Sequence, residues 1–273
     1  MSALVDYLGV DGSSGRLGRG LAVQARVVVA LMMRDVMSRF GHDNLGFFWI
    51  IVEPMLLTCG VMVLWTLANQ THGSEIGVIP FALTGYSFIT LWRHIIAKSI
   101  KCMTFNASLA FHPHVKFLDV LLARALIEVV AIFTAFLVAY APLALLGYCP
   151  PIRDPLVLVG GYLFCAWFSF AFGLVLAGIS ELNETVEHVI QPALYLTLPL
   201  TGTFFMVDWL PEQAQQVLLW SPLVNACEMF RSGLFPLSTP THYSVTYLTL
   251  TCLGLTTIGL PLCRYAQRHV QLL

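Results

Sequence analysis

Four charged side chains lie several residues inside the ends of segments that are otherwise apolar enough to cross a membrane. They are Glu53, Arg93, Arg124 and Glu128. Glu53 lies about seven residues into its apolar run, which is ~10 Å deep at 1.5 Å per residue. An unpaired charge at that depth costs on the order of 2–3 kcal/mol even on a mild insertion scale. We therefore expect the two glutamates to pair with the two arginines across neighbouring helices. The alternative is that Arg93 only extends its head group to the membrane interface.

The composition indicates a polytopic membrane protein. The chain has 273 residues, of which 58% are hydrophobic and 11% are charged, whereas a soluble domain is usually about a quarter charged. A net charge of -1 provides no basic field of the kind that indicates nucleic-acid binding. The seven cysteines include no C-x-x-C pair, so their spacing predicts neither a zinc site nor a disulfide framework.

The N-terminal part predicts a flexible tail followed by an amphipathic helix. Residues 1–19 are rich in Gly and Ser and carry no secretory signal. In residues 20–44, apolar side chains share one helical face, while Arg19, Arg26 and Arg34 cluster on the other. We expect this helix to lie in the membrane interface. The alternative is an ordinary packed helix of a small cytoplasmic domain.

Length and hydropathy predict an all-α fold with six membrane-spanning helices. They are placed at Phe47–Ala68, Val78–Ser99, Leu118–Leu146, Pro155–Gly178, Val186–Phe205 and Tyr243–Cys263. Lys and Arg residues concentrate before the first span, between the second and third, and after the sixth. The positive-inside rule therefore predicts that both termini are cytoplasmic.

The segment between the fifth and sixth spans does not fit a simple loop. Residues 207–240 hold two moderately apolar pieces that are split at Ser221 and Pro222, and each piece is too short to cross a bilayer. Proline starts a helix well and continues one badly. We expect two short re-entrant helices that dip back from the outer face, against protein or a water-filled cavity. This pattern is typical of a pore mouth.

The sequence lacks the motifs of nucleotide binding and of hydrolytic catalysis. It contains no G-x-x-x-x-G-K-[ST], G-x-S-x-G or H-E-x-x-H. His112 and His114 flank a proline, which is typical of a cytoplasmic turn. The acidic run from Glu181 to His188 predicts a solvated or partner-facing turn, because a di-metal carboxylate site needs matching motifs from other helices. We expect no catalytic residue, metal or cofactor on this chain.

Several motifs, taken in order, resemble the type-2 ABC-exporter permeases. In that family an amphipathic helix ending in R-[YF] precedes a first span with L-G-x-x-W-x-x-x-x-P. The corresponding residues here are Arg39, Phe40, Leu45, Gly46, Trp49 and Pro54. Glu53, just before the proline, is most similar to the branch that exports capsular polysaccharide. Residues 81–93 resemble the second span of that branch, and residues 111–128 resemble its first cytoplasmic loop and third span.

The outer segment adds a further resemblance. Residues 218–235 are similar to the family's re-entrant segment, typically N-P-x-x-x-x-x-E-x-x-R. Pro222, Glu228 and Arg231 occupy the Pro, Glu and Arg positions, whereas Ser221 stands where Asn is usual. The resemblance covers nearly the whole chain after residue 20.

The resemblance implies a transport subunit rather than an enzyme. It implies a homodimer of six-span subunits with two separate ATP-binding subunits, which would carry the ATP and Mg. The dimer would export an undecorated or lipid-linked polysaccharide across a bacterial inner membrane. A periplasmic polysaccharide co-polymerase and an outer-membrane export channel are the further partners implied. Residues 20–273 would form a single exporter transmembrane domain, with residues 20–44 as a collar at its gate.

The resemblance also assigns roles to individual residues. The ATPase-coupling loop would contain His112, Pro113, His114, Val115, Lys116 and Asp119. The outer gate helices would contain Pro211, Trp220, Pro222, Glu228 and Arg231.

Aromatic and cationic residues could contact a polysaccharide as it passes through the transporter. Aromatic faces suit the apolar faces of sugar rings, and Trp49, Tyr86, Phe88 and Trp92 lie on the first two spans. Their alternative role is to face lipid or the membrane interface. An anionic polymer or lipid head group would be gathered at the cytoplasmic entrance by a cationic set. That set is Arg39, Arg93, Lys98 and Lys101, although positive-inside topology explains it too.

Three other functions are consistent with parts of the sequence. The same fold could export O-antigen, teichoic acid or a drug. A membrane-embedded lipid- or sugar-modifying enzyme would need a cluster of catalytic His, Asp or Glu at one membrane face, and only the weak histidine pair is present. A purely structural membrane subunit would not need the intramembrane charges or the re-entrant segment.

Overall fold

The computed structural model describes residues 15–40, 77–105 and 116–270, together with residues 52, 55, 56 and 58–64. The regular structure within these residues is helical, and they contain no strand. The helices are α1 Gly15–Phe40, α2 Val78–Ser99, α3 Cys102–Phe105, α4 Phe117–Leu145, α5 Pro155–Leu182, α6 Glu184–Leu196, α7 Glu212–Leu218, α8 Pro222–Leu234 and α9 Val245–Val270. Two short 3-10 turns, Leu198–Thr201 and Val207–Trp209, lie between α6 and α7.

Helices stand where the second, third, fourth and sixth spans were predicted. α2 has the predicted bounds, and α4 and α5 begin at or within a residue of theirs. Within the described part of the chain, three helices are long and apolar enough to cross a membrane: α4, α5 and residues Val245–Arg268 of α9. α1 begins at Gly15, earlier than the predicted residue 20.

The fifth predicted span is shorter than expected. In place of one helix over Val186–Phe205, α6 ends at Leu196 and a 3-10 turn follows. Pro192 lies inside α6, and Gly202 adopts a left-handed φ of 73° after the 3-10 turn. Proline removes a helical N–H donor and glycine accepts positive φ without strain, so the apolar run does not continue as a helix.

α2, α4 and α5 form the centre of the bundle. Trp92 of α2 stacks on Phe168 of α5 with ring centroids 5.6 Å apart, and the Tyr162 hydroxyl of α5 donates to the Val129 carbonyl of α4 at 2.9 Å. Phe230 of α8 is fully buried among aromatic rings of all three helices. The short helix α8 therefore belongs to the core of the bundle.

Glycines let α8 touch α5 backbone to backbone. A Cβ on Gly161 of α5 would lie 2.3 Å from the Phe230 nitrogen, and a Cβ on Gly233 of α8 would lie 2.4 Å from the Leu158 nitrogen. The Gly233 carbonyl also accepts hydrogen bonds from the backbone N–H groups of residues 153 and 154 at the start of α5. Because backbone cannot move aside as a flexible side chain can, this contact requires glycine.

We expect Gly161→Ala to destabilise the protein by on the order of 2–3 kcal/mol, because an added methyl group overpacks a rigid contact. The matched control is Gly254→Ala in α9, where a Cβ would meet nothing within 4 Å and alanine favours the helix. Thermal unfolding in detergent measures both. Equal unfolding temperatures for the two variants would contradict the backbone contact.

Candidate functional site

Arg231 of α8 is the centre of a polar clamp at the predicted outer gate. Its side chain is 0% exposed. Nη1 donates to the Gly202 and Phe205 carbonyls at 2.6 and 2.7 Å, and Nη2 donates to the Thr203 carbonyl at 2.7 Å. The guanidinium also lies over the Phe81 ring, 4.2 Å from its centroid. Arg231 therefore satisfies the carbonyls of the segment that follows the broken helix α6.

Glu228 and Asn225 extend this clamp to both ends of the outer segment. Glu228 is 1% exposed and accepts from the Val207 nitrogen at 3.2 Å and the His242 nitrogen at 3.3 Å. Asn225 Oδ1 accepts from the Ser244 nitrogen at 3.0 Å. The spacing of three residues between Asn225, Glu228 and Arg231 puts them on one helical face, a signal that could have identified Asn225 from the sequence.

Gly85 of α2 allows the clamped segment to approach. A Cβ at this position would lie 2.6 Å from the Thr203 carbonyl oxygen and 3.0 Å from Arg231 Nη2. Arg231 Nε also lies 3.5 Å from the Thr84 hydroxyl. The outer clamp, which we define as Asn225, Glu228 and Arg231 with their partners, is thus seated on α2 as well as on α5.

The predicted outer gate residues differ in their environment. The two short helices are present and are separated at Ser221, with Pro211 just before α7 and Pro222 as the first residue of α8. Trp220 is 78% exposed. Glu228 and Arg231 are enclosed by protein, so they hold the gate helices in place rather than line a passage.

A buried carboxylate lies between α4 and α2, in the half of the bundle that the sequence predicts to be cytoplasmic. Glu128 of α4 is 3% exposed. Its Oε2 lies 2.9 Å from His94 Nδ1, and its Oε1 accepts from Lys98 Nζ. His94 and Lys98 are four residues apart on α2 and so share one face. The carboxylate links α4 to α2 and neutralises a positive charge inside the bundle.

These contacts differ from the pairing that we expected. The described partners of Glu128 are Lys98 and His94 rather than Arg93 and Arg124, while Glu53 lies outside the described residues. For Arg93 the reason is helical geometry. Consecutive residues of a helix are rotated by about 100°, so Arg93 points away from the face of α2 that carries His94 and Lys98.

The two arginines have other contacts. Arg93 Nη2 donates to the Tyr195 hydroxyl of α6 at 3.1 Å, and its guanidinium lies 4.8 Å from the centroid of that ring. Arg124 Nη1 lies 3.5 Å from the Lys98 carbonyl and 3.6 Å from Cys102 Sγ. Tyr195 is 55% exposed, so the Arg93–Tyr195 pair offers an aromatic face and a cation together. Sequence reasoning missed Tyr195 because α6 was expected to continue as a spanning helix.

Two of the predicted aromatic contacts for a polymer are core residues. Phe88 is 0% exposed and Trp92 is 3% exposed, and they pack against Phe230 and Phe168. They cannot present a ring face to a sugar, which corrects the expectation drawn from their position. Tyr86 is partly buried and meets Phe204 edge to face at 6.2 Å. Trp49 and the side chain of Arg39 lie outside the described residues.

The chain is held on either side of residues 106–115. Asp119, the last residue of the predicted coupling loop, is 2% exposed and accepts from the Lys116 nitrogen at 3.0 Å and from Gln24 Nε2 of α1. Asp119 therefore attaches α1 to the start of α4, while Lys116 is exposed. Residues 112–115, which include both predicted histidines, lie outside the described residues.

Before the loop, Glu181 at the end of α5 holds the chain that follows α2. Its Oε1 accepts from the Met103 and Thr104 nitrogens at 2.7 and 3.2 Å, and its Oε2 accepts from the Thr104 hydroxyl at 2.7 Å. The sequence predicted a solvated or partner-facing turn here. No local pattern signals this contact, because its partners are separated by more than seventy residues.

The described residues contain no group of three or more His, Cys, Asp or Glu that could hold a metal ion. The cysteines are free thiols, and all but Cys59 are buried. Burial raises the pKa of Cys102, near the predicted coupling loop, to about 11, and that of Cys149, between α4 and α5, to about 11. Both thiols stay protonated at neutral pH, which makes them poor nucleophiles and metal ligands.

Comparison with known families identifies the fold. The family model described as ABC-2 type transporter matches residues 26–235, a stretch that includes Glu128 with His94 and Lys98, as well as Asn225, Glu228 and Arg231. The chain belongs to the ABC-2 type transporter family. Its role is that of a transport subunit, not an enzyme.

Similar proteins span the same length. The capsule polysaccharide export inner-membrane protein BexB of Haemophilus influenzae is 32% identical over 95% of this chain and 98% of its own length. CtrC of Neisseria meningitidis serogroup A, which bears the same description, is 34% identical over 92% of this chain and 95% of its own. The polysialic acid transport protein KpsM of Escherichia coli is 27% identical over 90% and 95%.

We expect Arg231→Lys to destabilise the protein by about 3 kcal/mol or more. One ammonium group cannot reach three separated carbonyls, and each buried polar group left unpaired is costly. Thermal unfolding and the amount of protein in membranes measure the loss. Arg153→Lys is the matched control, since the Arg153 side chain is exposed. An unfolding temperature for Arg231→Lys equal to that of the control would show that the clamp is dispensable.

We expect Glu128→Gln and Lys98→Gln to be non-additive, with a coupling of about 1–2 kcal/mol in a double-mutant cycle of unfolding free energies. The physical reason is that each variant removes the same ion pair. The control cycle combines Glu128→Gln with Arg93→Gln, whose partner is Tyr195, and should be additive. Coupling between Glu128 and Arg93, without coupling between Glu128 and Lys98, would support the Glu–Arg pairing expected from the sequence. It would refute the Glu128–Lys98 ion pair seen in the structure.

Proposed function

We propose that this chain is the permease subunit of an ABC transporter that exports capsular polysaccharide across a bacterial inner membrane. The observation that carries the proposal is the likeness to BexB over 95% of this chain and 98% of that protein. Since the match is end to end, it includes the cytoplasmic loop and the outer segment as well as the spanning helices.

The topology proposed is six spans with both termini cytoplasmic and a re-entrant outer segment. In support, α8 is too short to cross a bilayer and yet is buried from Leu223 to Leu234. Its Phe230 ring lies 5.3 Å from Phe136, about nine residues or ~14 Å inward from the outer end of α4. A short helix at that depth, covered by protein, is what a re-entrant segment requires.

The assembly proposed is a homodimer with two ATP-binding subunits, which carry the ATP and Mg. The absence of a P-loop motif from the 273-residue sequence supports this division of labour. The loop that contains His112, Pro113, His114, Val115 and Lys116 would contact the ATPase. A periplasmic polysaccharide co-polymerase and an outer-membrane channel would receive the polymer.

The cargo proposed is a polysaccharide carried on a lipid. Arg93 and Tyr195 support this, because a guanidinium suits a phosphate or carboxylate and a partly exposed aromatic ring suits a sugar face. The structure pairs them directly, with 3.1 Å between Arg93 Nη2 and the Tyr195 hydroxyl. Lys98 and Lys101 lie at and just after the proposed cytoplasmic end of α2, although Lys98 is partly neutralised by Glu128.

The first test is co-purification of the tagged chain from its native membranes, followed by subunit identification and an ATPase assay. We expect a P-loop ATPase at a ratio of one per chain, as the proposed assembly requires. Replacing residues 112–115 with Gly and Ser should abolish recovery of the ATPase, whereas Arg153→Lys should not. A chain that is recovered alone, with no nucleotide-hydrolysing partner, would refute the exporter assignment.

Restoration of the surface polysaccharide in a deletion strain tests the cargo. Recovery of capsule by the wild-type chain supports the proposal. Recovery of O-antigen instead would support the transporter assignment but refute capsular polysaccharide as its cargo.

A further inference from the structure

The chain makes an enforced turn where α2 ends. Lys101 adopts a left-handed φ of 46°, a conformation that is strained for a non-glycine residue. Its backbone nitrogen donates to the Ser180 hydroxyl of α5 at 3.1 Å, and the flanking Ile100 and Cys102 are buried. The strained turn is therefore held by contacts to the last turn of α5.

Glu181 completes this attachment. Its two carboxylate oxygens accept three hydrogen bonds, all from Met103 and Thr104. A carboxylate that accepts several N–H and O–H donors forms charge-assisted bonds, which are stronger than neutral ones. The Lys101–Thr104 segment lies near the end of the described stretch 77–105, on the side of the chain that leads to the proposed coupling loop. Ser180 and Glu181 thus fix that segment to α5.

α5 connects this attachment to the outer clamp. At its cytoplasmic end, Glu181 lies two residues from Asn183, which begins α6 by accepting from the Thr185 nitrogen at 2.9 Å. At its outer end, α5 contacts α8 through backbone at Gly161 and Gly233. The helix itself runs without interruption from Pro155 to Leu182. A displacement applied at Glu181 is therefore transmitted along a continuous helix to α8.

We propose that Glu181 is a positioning residue that couples the cytoplasmic loop to α5, so that movement driven by the ATPase reaches the outer clamp. The inference rests on the proposed function, since it requires a partner that hydrolyses ATP. It goes beyond that function by naming the residue through which hydrolysis is linked to transport. Glu181 contacts neither nucleotide nor polymer in this scheme.

The readout that separates coupling from folding is the amount of polymer exported per ATP hydrolysed. A residue needed only for stability would lower the amount of assembled transporter, and export and hydrolysis would fall together. A coupling residue would lower export while the assembled transporter still hydrolyses ATP. Both quantities are measured on the complete transporter, purified with its ATPase subunits and reconstituted into proteoliposomes with its polysaccharide.

We expect Glu181→Ala to retain ATPase activity within about twofold and to lower export per ATP by about tenfold, the factor that accompanies loss of a charge-assisted hydrogen bond. Glu181→Asp should recover part of the ratio, because the carboxylate is kept. Arg153→Ala is the control, since the Arg153 side chain is exposed and lies outside both the coupling loop and the outer segment, and it should leave the ratio unchanged.

Thr104 provides a second variant that spares the carboxylate. Thr104→Val removes one hydrogen bond to Glu181 and should lower the ratio by a smaller factor, and Thr104→Ser should restore it. This pair keeps the inference testable if Glu181→Ala fails to assemble.

An unchanged ratio in both Glu181→Ala and Thr104→Val would overturn the inference. The inference would also be overturned if export and ATP hydrolysis fell together, in proportion to the amount of assembled transporter. A wild-type transporter that shows no ATP-dependent export would instead refute the proposed function.

Discussion

A guanidinium enclosed by protein has to find acceptors for its donors, and Arg231 finds them on backbone carbonyls of the segment that follows α6. Non-helical backbone within a membrane is tolerated only where protein or water satisfies it. The segment around Gly202, Thr203 and Phe205 is non-helical backbone, because proline and glycine end helix formation beyond α6. Arg231 binds all three carbonyls. The need to satisfy this segment therefore decides where α8 lies.

Several other features follow from that placement. To bring Arg231 to these carbonyls, α8 must lie against both α5 and α2, and glycines remove the side chains that would prevent it. Gly85 clears the space beside Thr203, and Gly161 with Gly233 clears the space between α8 and α5. The charge of the guanidinium is stabilised by carbonyl dipoles and by the Phe81 ring. Glu228 meanwhile binds backbone N–H groups, so both charges are satisfied mainly by the main chain.

Helices and their starts were predictable from the sequence because they depend on local properties. Hydropathy located α2 with its observed bounds, and Pro222 marked the start of α8. The partners of buried charges were not predictable in the same way. Glu128 selects Lys98 and His94 over an arginine one position away, which depends on the rotation of α2 about its axis. Glu181 looked like part of a solvated acidic turn, because its partners Met103 and Thr104 lie on another part of the chain.

The contacts that hold α2, α5 and α8 together limit how a passage can open. Separating α8 from α5 would break backbone contacts at two glycines and uncover the carbonyls that Arg231 binds, which is costly wherever water cannot replace the lost hydrogen bonds. These three helices should therefore move as one body. Contacts between side chains, such as that of Arg93 with Tyr195 on α6, can be exchanged for others at much lower cost. In the proposed transporter, an opening that preserves the outer clamp would therefore occur at the edge of this body, towards α6 or the proposed second subunit, and not between α5 and α8.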